Sequence, residues 1–143
     1  MSDLQKPDFI KRALAAIIDG VVMTILTLIP LLGKLLALIY LLLRDGLDFD
    51  FMRHRSLGKS LMKLKPVTLA GEDLDLGTSA KRNITLALGS LAQLIKGWAF
   101  LSWLLMLAAI VVGLYEVYLV ITDDKGRRLG DRLAETQVIE SGD

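Results

Sequence analysis

The sequence contains no cysteine, a single histidine and three prolines among its 143 residues. Without cysteine there is no disulfide, no thiol nucleophile and no thiolate metal site. The lone imidazole, His54, stands between Arg53 and Arg55 and cannot supply the several ligands a metal site needs. Net charge is only +1, so no bulk basicity points to nucleic acid. Gly-rich phosphate loops, nucleophile–base spacings and metalloprotease motifs are missing too. No catalytic residue, metal or cofactor is therefore expected, and the chain does not read as an enzyme. The opening MSDLQKPD lacks the basic-then-apolar layout and small-residue cleavage site of a signal peptide, so the first apolar stretch is expected to be a retained anchor. No internal repeat and no low-complexity linker is evident.

What is present is apolar. Hydrophobic residues make up 53% of the chain and mean hydropathy is +0.51, more than a small soluble domain can hide. The charged 23% sits in patches between apolar runs. These features predict an integral membrane protein, all-α, organised as one domain over residues 1–143. Four membrane helices are expected, at about residues 12–30, 31–45, 79–96 and 98–121. Pro30 and Gly33 leave almost no loop between the first two. The second is short for a span, and either crosses obliquely with Lys34 and Arg44 snorkelling or forms one arm of a re-entrant hairpin. Thr78 or Ser79 is expected to cap the third. The fourth carries Trp98 and Trp103 near one end and Tyr115 and Tyr118 near the other, the two interfacial belts.

Between these runs lies a polar segment, residues 46–78, and after them a polar tail, residues 122–143. In SLGKSLMKLK, Leu57, Leu61 and Leu64 fall on one helical face with Lys59 and Lys63 opposite, the pattern of an amphipathic helix lying on anionic lipid. Pro66 should end it. Val67–Leu69 and Leu74–Leu76 flank Ala-Gly-Glu-Asp and predict a small hairpin. Of the 17 lysines and arginines, all but Lys34 and Lys96 fall on one side of a four-helix arrangement. The positive-inside rule then places both termini in the cytoplasm of a multi-pass inner-membrane protein. Small residues at Gly20, Gly89 and Ser90 suit close helix packing and predict a homo-oligomer.

The ionisable residues within apolar runs are the candidate site. Asp19 lies inside the first helix, and Arg12 is two turns before it, on the same face and about 10 Å away along the axis. An acid in hydrocarbon is costly unless it meets protein, water or a cation. Asp19 therefore reads either as a proton or cation site, or as a structural salt-bridge or helix-cap partner that fixes helix packing, with Arg12, Arg82, Asn83 or Arg132 able to reach it. Glu116 is a second intramembrane acid, able to share a proton or a monovalent cation with Asp19 or simply to hydrate at the interface. Asp45 and Asp131 adjoin Arg44 and Arg132, but neighbours in sequence do not face each other on a helix. Each is expected to find its partner elsewhere, so Asp45, Asp131, Arg82 and Arg132 are candidate structural ion pairs. Lys59, Lys63, Arg127 and Arg128 are expected at lipid headgroups.

Three ordered motifs carry a resemblance to a known family. Arg12 and Asp19 sit at the start of and inside the first helix. RSLGKSLMKLKPV, residues 55–67, follows the second, and RLGDRLAETQVI, residues 128–139, closes the chain. Together they resemble the RDD family, small bacterial membrane proteins named for one arginine and two aspartates. Arg12 and Asp19 match the first two; both Asp45 and Asp131 sit in contexts that match the second aspartate. The near-absent first loop, Arg53-His54 and Pro66 depart from the family pattern. The resemblance implies a membrane protein described as a candidate transporter of unknown ligand, some members being described as sodium–proton antiporters and others being fused to unrelated domains. Two functions follow as expectations: a cation/proton exchanger working through Asp19, or a non-transporting scaffold or regulatory module acting through its basic cytoplasmic surface.

Overall fold

The computed structural model describes residues 6–95 and 97–142; Lys96, expected opposite the basic side, falls outside them. The chain begins with helix α1, Phe9–Thr27, capped by Asp8, whose carboxylate accepts from the Ile10 N–H at 2.7 Å. Pro30 follows its end, where it cannot continue a helix. The second helix, α2, covers Gly33–Leu43, and a five-residue helix, α3, covers Leu57–Leu61. A strand, β1, follows at Leu64–Thr68. Helices α4, Leu76–Asn83, and α5, Ala87–Leu94, are separated by a 3-10 turn over Ile84–Leu86. The long α6 spans Ala99–Thr122, and a short α7, Leu129–Leu133, leads into β2, Thr136–Glu140.

The protein is mostly helical, and α6 is the described helix long and apolar enough to cross a bilayer alone. Its 24 residues reach about 36 Å, against a hydrocarbon core of about 30 Å. Only 11% of its most apolar window is buried within the protein, so most of its Leu, Ile and Val side chains face outward, Leu119 and Val120 near its end being buried. Helix α1 has a comparable length but carries Lys11, Arg12 and Asp19. Helices α2 and α5, with 11 and 8 residues, reach only about 16 and 12 Å. Helix α1 packs on α2, α2 on α5, and α5 on α6.

At one end of these helices lies a polar layer made of α3, α4, α7 and the two strands. The N-terminal lead joins it: Lys6 Nζ donates to the Ile121 and Asp123 carbonyls at 2.9 and 3.0 Å, satisfying the end of α6. The largest fully buried side chains belong to this layer and include Arg82, Asn83, Asp45, Asp131 and Thr136. The interior at this end is charged while the flanks of the helices are apolar, the reverse of a soluble domain.

Several expectations are corrected here. The amphipathic helix over residues 56–65 stops at Leu61, because Lys63 turns to a φ of +54° and Leu64 starts a strand. The small hairpin is not formed: β1 pairs antiparallel with β2 of the tail, Leu64 opposite Glu140 and Thr68 opposite Thr136. Pro66 does not end the segment but lies within β1, which a two-stranded ribbon tolerates because both strands are edges. The third membrane helix is broken at Ile84–Leu86, and its cap is Asp75, which accepts from the Thr78 N–H at 2.7 Å.

An internal repeat also emerges. Helix α3 and β1 recur as α7 and β2 at a constant shift, Leu57 to Leu129 and Leu64 to Thr136. The shared pattern is Arg-x-Leu-Gly-x-x-Leu, at Arg55–Leu61 and Arg127–Leu133. Lys63 and Glu135 occupy equivalent places and share the same positive φ of 54°. Pro66 and Val138 are equivalent and pair with each other, so a local two-fold axis passes through the centre of the ribbon. Each copy follows a pair of helical runs, with residues 9–43 preceding the first and 76–122 the second.

Candidate functional site

Asp19 is buried, and its partners come from the polar layer. Ser56 Oγ donates to its Oδ2 at 2.6 Å, the Gly58 N–H donates to Oδ1 at 2.8 Å, and Arg44 Nη1 lies 3.2 Å from Oδ2. Ser56 and Gly58 are the cap and second residue of α3, so Asp19 satisfies the Gly58 N–H, which a short helix would otherwise leave open. Gly58 makes this approach feasible: a Cβ there would sit 2.0 Å from the Ala15 carbonyl oxygen. Arg12 does not reach Asp19. Its guanidinium donates to the Gly126 carbonyl and lies 3.3 Å from Asp131 Oδ2.

The centre of the layer is Arg82, which is fully buried. Its Nη2 lies 2.7 Å from Asp131 Oδ1 and its Nε 3.5 Å from Asp45 Oδ2. One guanidinium from α4 thus stands between the two aspartates that sequence reasoning could not rank. Asp45 also receives Lys59 Nζ at 2.6 Å and the Ser56 N–H and Asn83 Nδ2 at 3.2 Å each. Asp131 also receives Arg128 Nε at 3.2 Å. Arg128 reaches Asn83 Oδ1 at 2.6 Å as well.

Glu116 follows the pattern of Asp19 on the other half. Its Oε1 accepts from Thr85 Oγ1 at 2.6 Å and from the Gly130 N–H at 3.4 Å, and Arg128 Nη1 lies 4.0 Å from Oε2. Gly130 is the counterpart of Gly58, and a Cβ there would meet the Arg82 carbonyl oxygen at 1.9 Å. Each short helix therefore presents its glycine N–H to an acid rooted in a long one. Glu116 is buried and does not hydrate at an interface.

The surface cations divide. Lys59 and Arg128, expected at lipid headgroups, turn inward, because Asp45 and Asp131 offer them buried carboxylates. Arg127 and Arg132 pair with Asp123, at 3.3 and 2.7 Å. Lys63 stays exposed. Burial pulls the Lys59 ammonium down to about 8, against the attraction of Asp45. Burial alone would raise Asp131, but Arg82, Arg128 and Arg12 outweigh it and hold that carboxyl at about 2. His54 is engaged elsewhere, with Nδ1 3.0 Å from the Leu74 carbonyl and Nε2 3.5 Å from Asp48. Among the described residues, no group of three or more His, Asp or Glu is placed to hold a metal.

A cavity of about 570 Å³ adjoins this network. Arg12, Arg44, Lys59, Arg82 and Arg128 reach it, as do Asp19 and Glu116. Its farther wall is formed by Met23 and Gly20 of α1, Gly89 of α5 and Gly113 of α6. A second cavity of about 250 Å³ shares Met23, Ser90 and Gln93 with the first and extends to Lys34. Sequence reasoning found Asp19, Arg12 and Glu116 because charges in apolar runs stand out. It missed Arg44 as the partner of Asp19, and Ser56 and Thr85 altogether, and it offered Asn83 to Asp19, whereas Asn83 meets Asp45 and Arg128. The repeated Arg-x-Leu-Gly-x-x-Leu was the signal that could have tied both acids to the two short helices.

Apolar helices bearing outward-facing side chains, joined at one end by a buried arginine–aspartate network, define a membrane-associated helical protein rather than a soluble one. The RDD family model matches residues 31–135. The chain belongs to the RDD family. No curated protein and no solved structure matches it.

Proposed function

We propose that this protein is a non-transporting module of the bacterial cytoplasmic membrane, multi-pass with both termini cytoplasmic, whose basic polar layer serves as scaffold or regulatory contact. Helices α1, α2, α5 and α6 form its membrane part, with α2 and α5 as half-length segments. The supporting observation is the engagement of every acid once eligible as a cation site. Asp19 faces Arg44 and two donors of α3, and Glu116 faces Thr85, Gly130 and Arg128. Arg44 and Arg128 beside these acids already supply the positive charge that a bound cation would bring, and they repel the cation a shuttle must admit. In this reading the network locks the cytoplasmic layer onto the membrane helices.

One observation favours cation/proton exchange instead. Asp19 and Glu116 line the same cavity, which continues through Ser90 and Gln93 toward Lys34. Cation-driven proton flux in proteoliposomes decides between the two. For the module, native protein gives no flux with Na⁺, Li⁺ or K⁺, and Asp19→Asn lowers the melting temperature in detergent. Flux that disappears in a folded Asp19→Asn variant would establish the exchanger and sink the module.

A further inference from the structure

The large cavity has a charge balance unsuited to a cation. Arg12, Arg44, Lys59, Arg82 and Arg128 meet the carboxylates of Asp19, Asp45, Asp131 and Glu116, which leaves one positive charge in excess. Two of these guanidiniums are incompletely used: Arg82 Nη1 and Arg44 Nε are buried with no hydrogen-bond partner among the described residues. Arg82 itself is 0% exposed. An excess buried charge with unused donors is costly unless an anion completes it. Guanidinium groups favour oxyanions such as phosphate, whose geometry matches their planar fork.

The rest of the cavity is mostly apolar, with Ser90 and Gln93 as its polar residues. From Arg12 to Met23 the α1 wall rises about 16 Å, and it passes from the cationic foot to Ala16, Gly20 and Met23. The helices pack in the order α1, α2, α5, α6, which leaves a cleft between α1 and α6, both of which expose apolar faces. The residues that read as oligomer-packing positions, Gly20, Gly89 and Ser90, line this cleft. A Cβ at Gly20 or Gly113 would meet nothing within 4 Å. The volume, about 570 Å³, lies within the usual range for small-molecule sites, roughly 300–1,000 Å³. Lys59 and Leu64 of the first repeat and Arg128 and Val138 of the second line its foot.

We propose that this cleft binds a phosphate group carried on an apolar chain, the phosphodiester of an anionic phospholipid, with its headgroup on Arg82 and Arg44 and its chain along Gly20 and Gly113. The proposal goes beyond the module reading and does not depend on it. It is tested with purified protein in a neutral detergent, titrated separately with dihexanoyl phosphatidylglycerol, dihexanoyl phosphatidylcholine and inorganic phosphate while the melting temperature is followed. Phosphatidylglycerol is expected to raise it in a saturable way, with phosphatidylcholine and phosphate each binding roughly tenfold more weakly. Gly20→Leu and Gly113→Leu, which fill the cleft without touching the ion network, are expected to abolish that rise while leaving the ligand-free melting temperature equal or higher. An equal shift from inorganic phosphate would assign the site to a soluble oxyanion and remove the lipid. No difference between the two lipids, or a rise that survives in both leucine variants, would overturn the site. So would a wild-type dimer in which a second copy of the chain occupies the cleft.

Discussion

Gly58 and Gly130 show how tightly single residues are held in this protein. Each lets a short helix lay its backbone against a carbonyl oxygen of a neighbouring helix, Ala15 of α1 in the first case and Arg82 of α4 in the second. Even one methyl group has no room there, and the opposing atoms are backbone, which cannot rotate away. Gly58→Ala and Gly130→Ala are each expected to destabilise by about 1–3 kcal/mol, read as a loss in melting temperature, whereas Gly97→Ser, where an added Cβ meets nothing within 4 Å, serves as a comparison outside the packed layer. A change of less than a degree in both alanine variants would mean that the helices do not approach this closely. Arg82 is the other residue with no substitute. Its removal would leave Asp45 and Asp131 short of a cation, and breaking a buried pair costs about 3–5 kcal/mol.

At the level of elements, the β1–β2 ribbon decides how the tail is attached. Its two strands are separated by the end of the polar middle and by α4, α5, α6 and α7, yet Lys65 lies opposite Ile139. The absence of native cysteine makes a clean test available. The double variant Lys65→Cys/Ile139→Cys is expected to form an intramolecular disulfide on mild oxidation, seen as a mobility shift reversed by reductant; no crosslink would refute the pairing. Sequence reasoning placed α6 within a residue or two because a long uninterrupted apolar run has one obvious state. It misplaced the strands because the signal for β1 is local while its partner is distant, so the nearest alternating segment, Leu74-Asp75-Leu76, offered itself instead. The break at Ile84–Leu86 was equally hidden, since Asn83-Ile84-Thr85 carries no Gly or Pro to announce it. For the site, Asp19 and Arg12 were legible as charges out of place, but not their pairing. Arg12 and Asp19 share a face of one helix, and only the docking of α7 draws Arg12 to Asp131.

The whole molecule is held at one end by charge, and that end should respond to acid. Asp131 has a folded-state value of about 2 against an ordinary 3.8. A carboxyl depressed on folding contributes stability that is present above its unfolded value and lost as pH falls through the folded one. For Asp131 the window runs from about pH 4 to pH 2, with roughly 2 kcal/mol at stake. Asp123, held at about 2 by Arg127 and Arg132 against burial, acts in the same direction. The melting temperature in detergent is thus expected to fall between pH 4 and pH 2, and Asp131→Asn to begin lower and flatten that fall. A profile unchanged in the variant would place the acid lability elsewhere.

The two-fold axis through Pro66 and Val138 relates α3 and β1 to α7 and β2 as two subunits of a homodimer are related. A self-complementary contact of that kind arises naturally between identical chains, and here it is sealed by covalent linkage. Fusion frees the halves to diverge. The position that holds Lys59 in one copy holds Asp131 in the other, a reversal of sign that two identical subunits could never adopt. The asymmetric cluster around Arg82 is therefore open only to a chain that carries both halves of its own dimer.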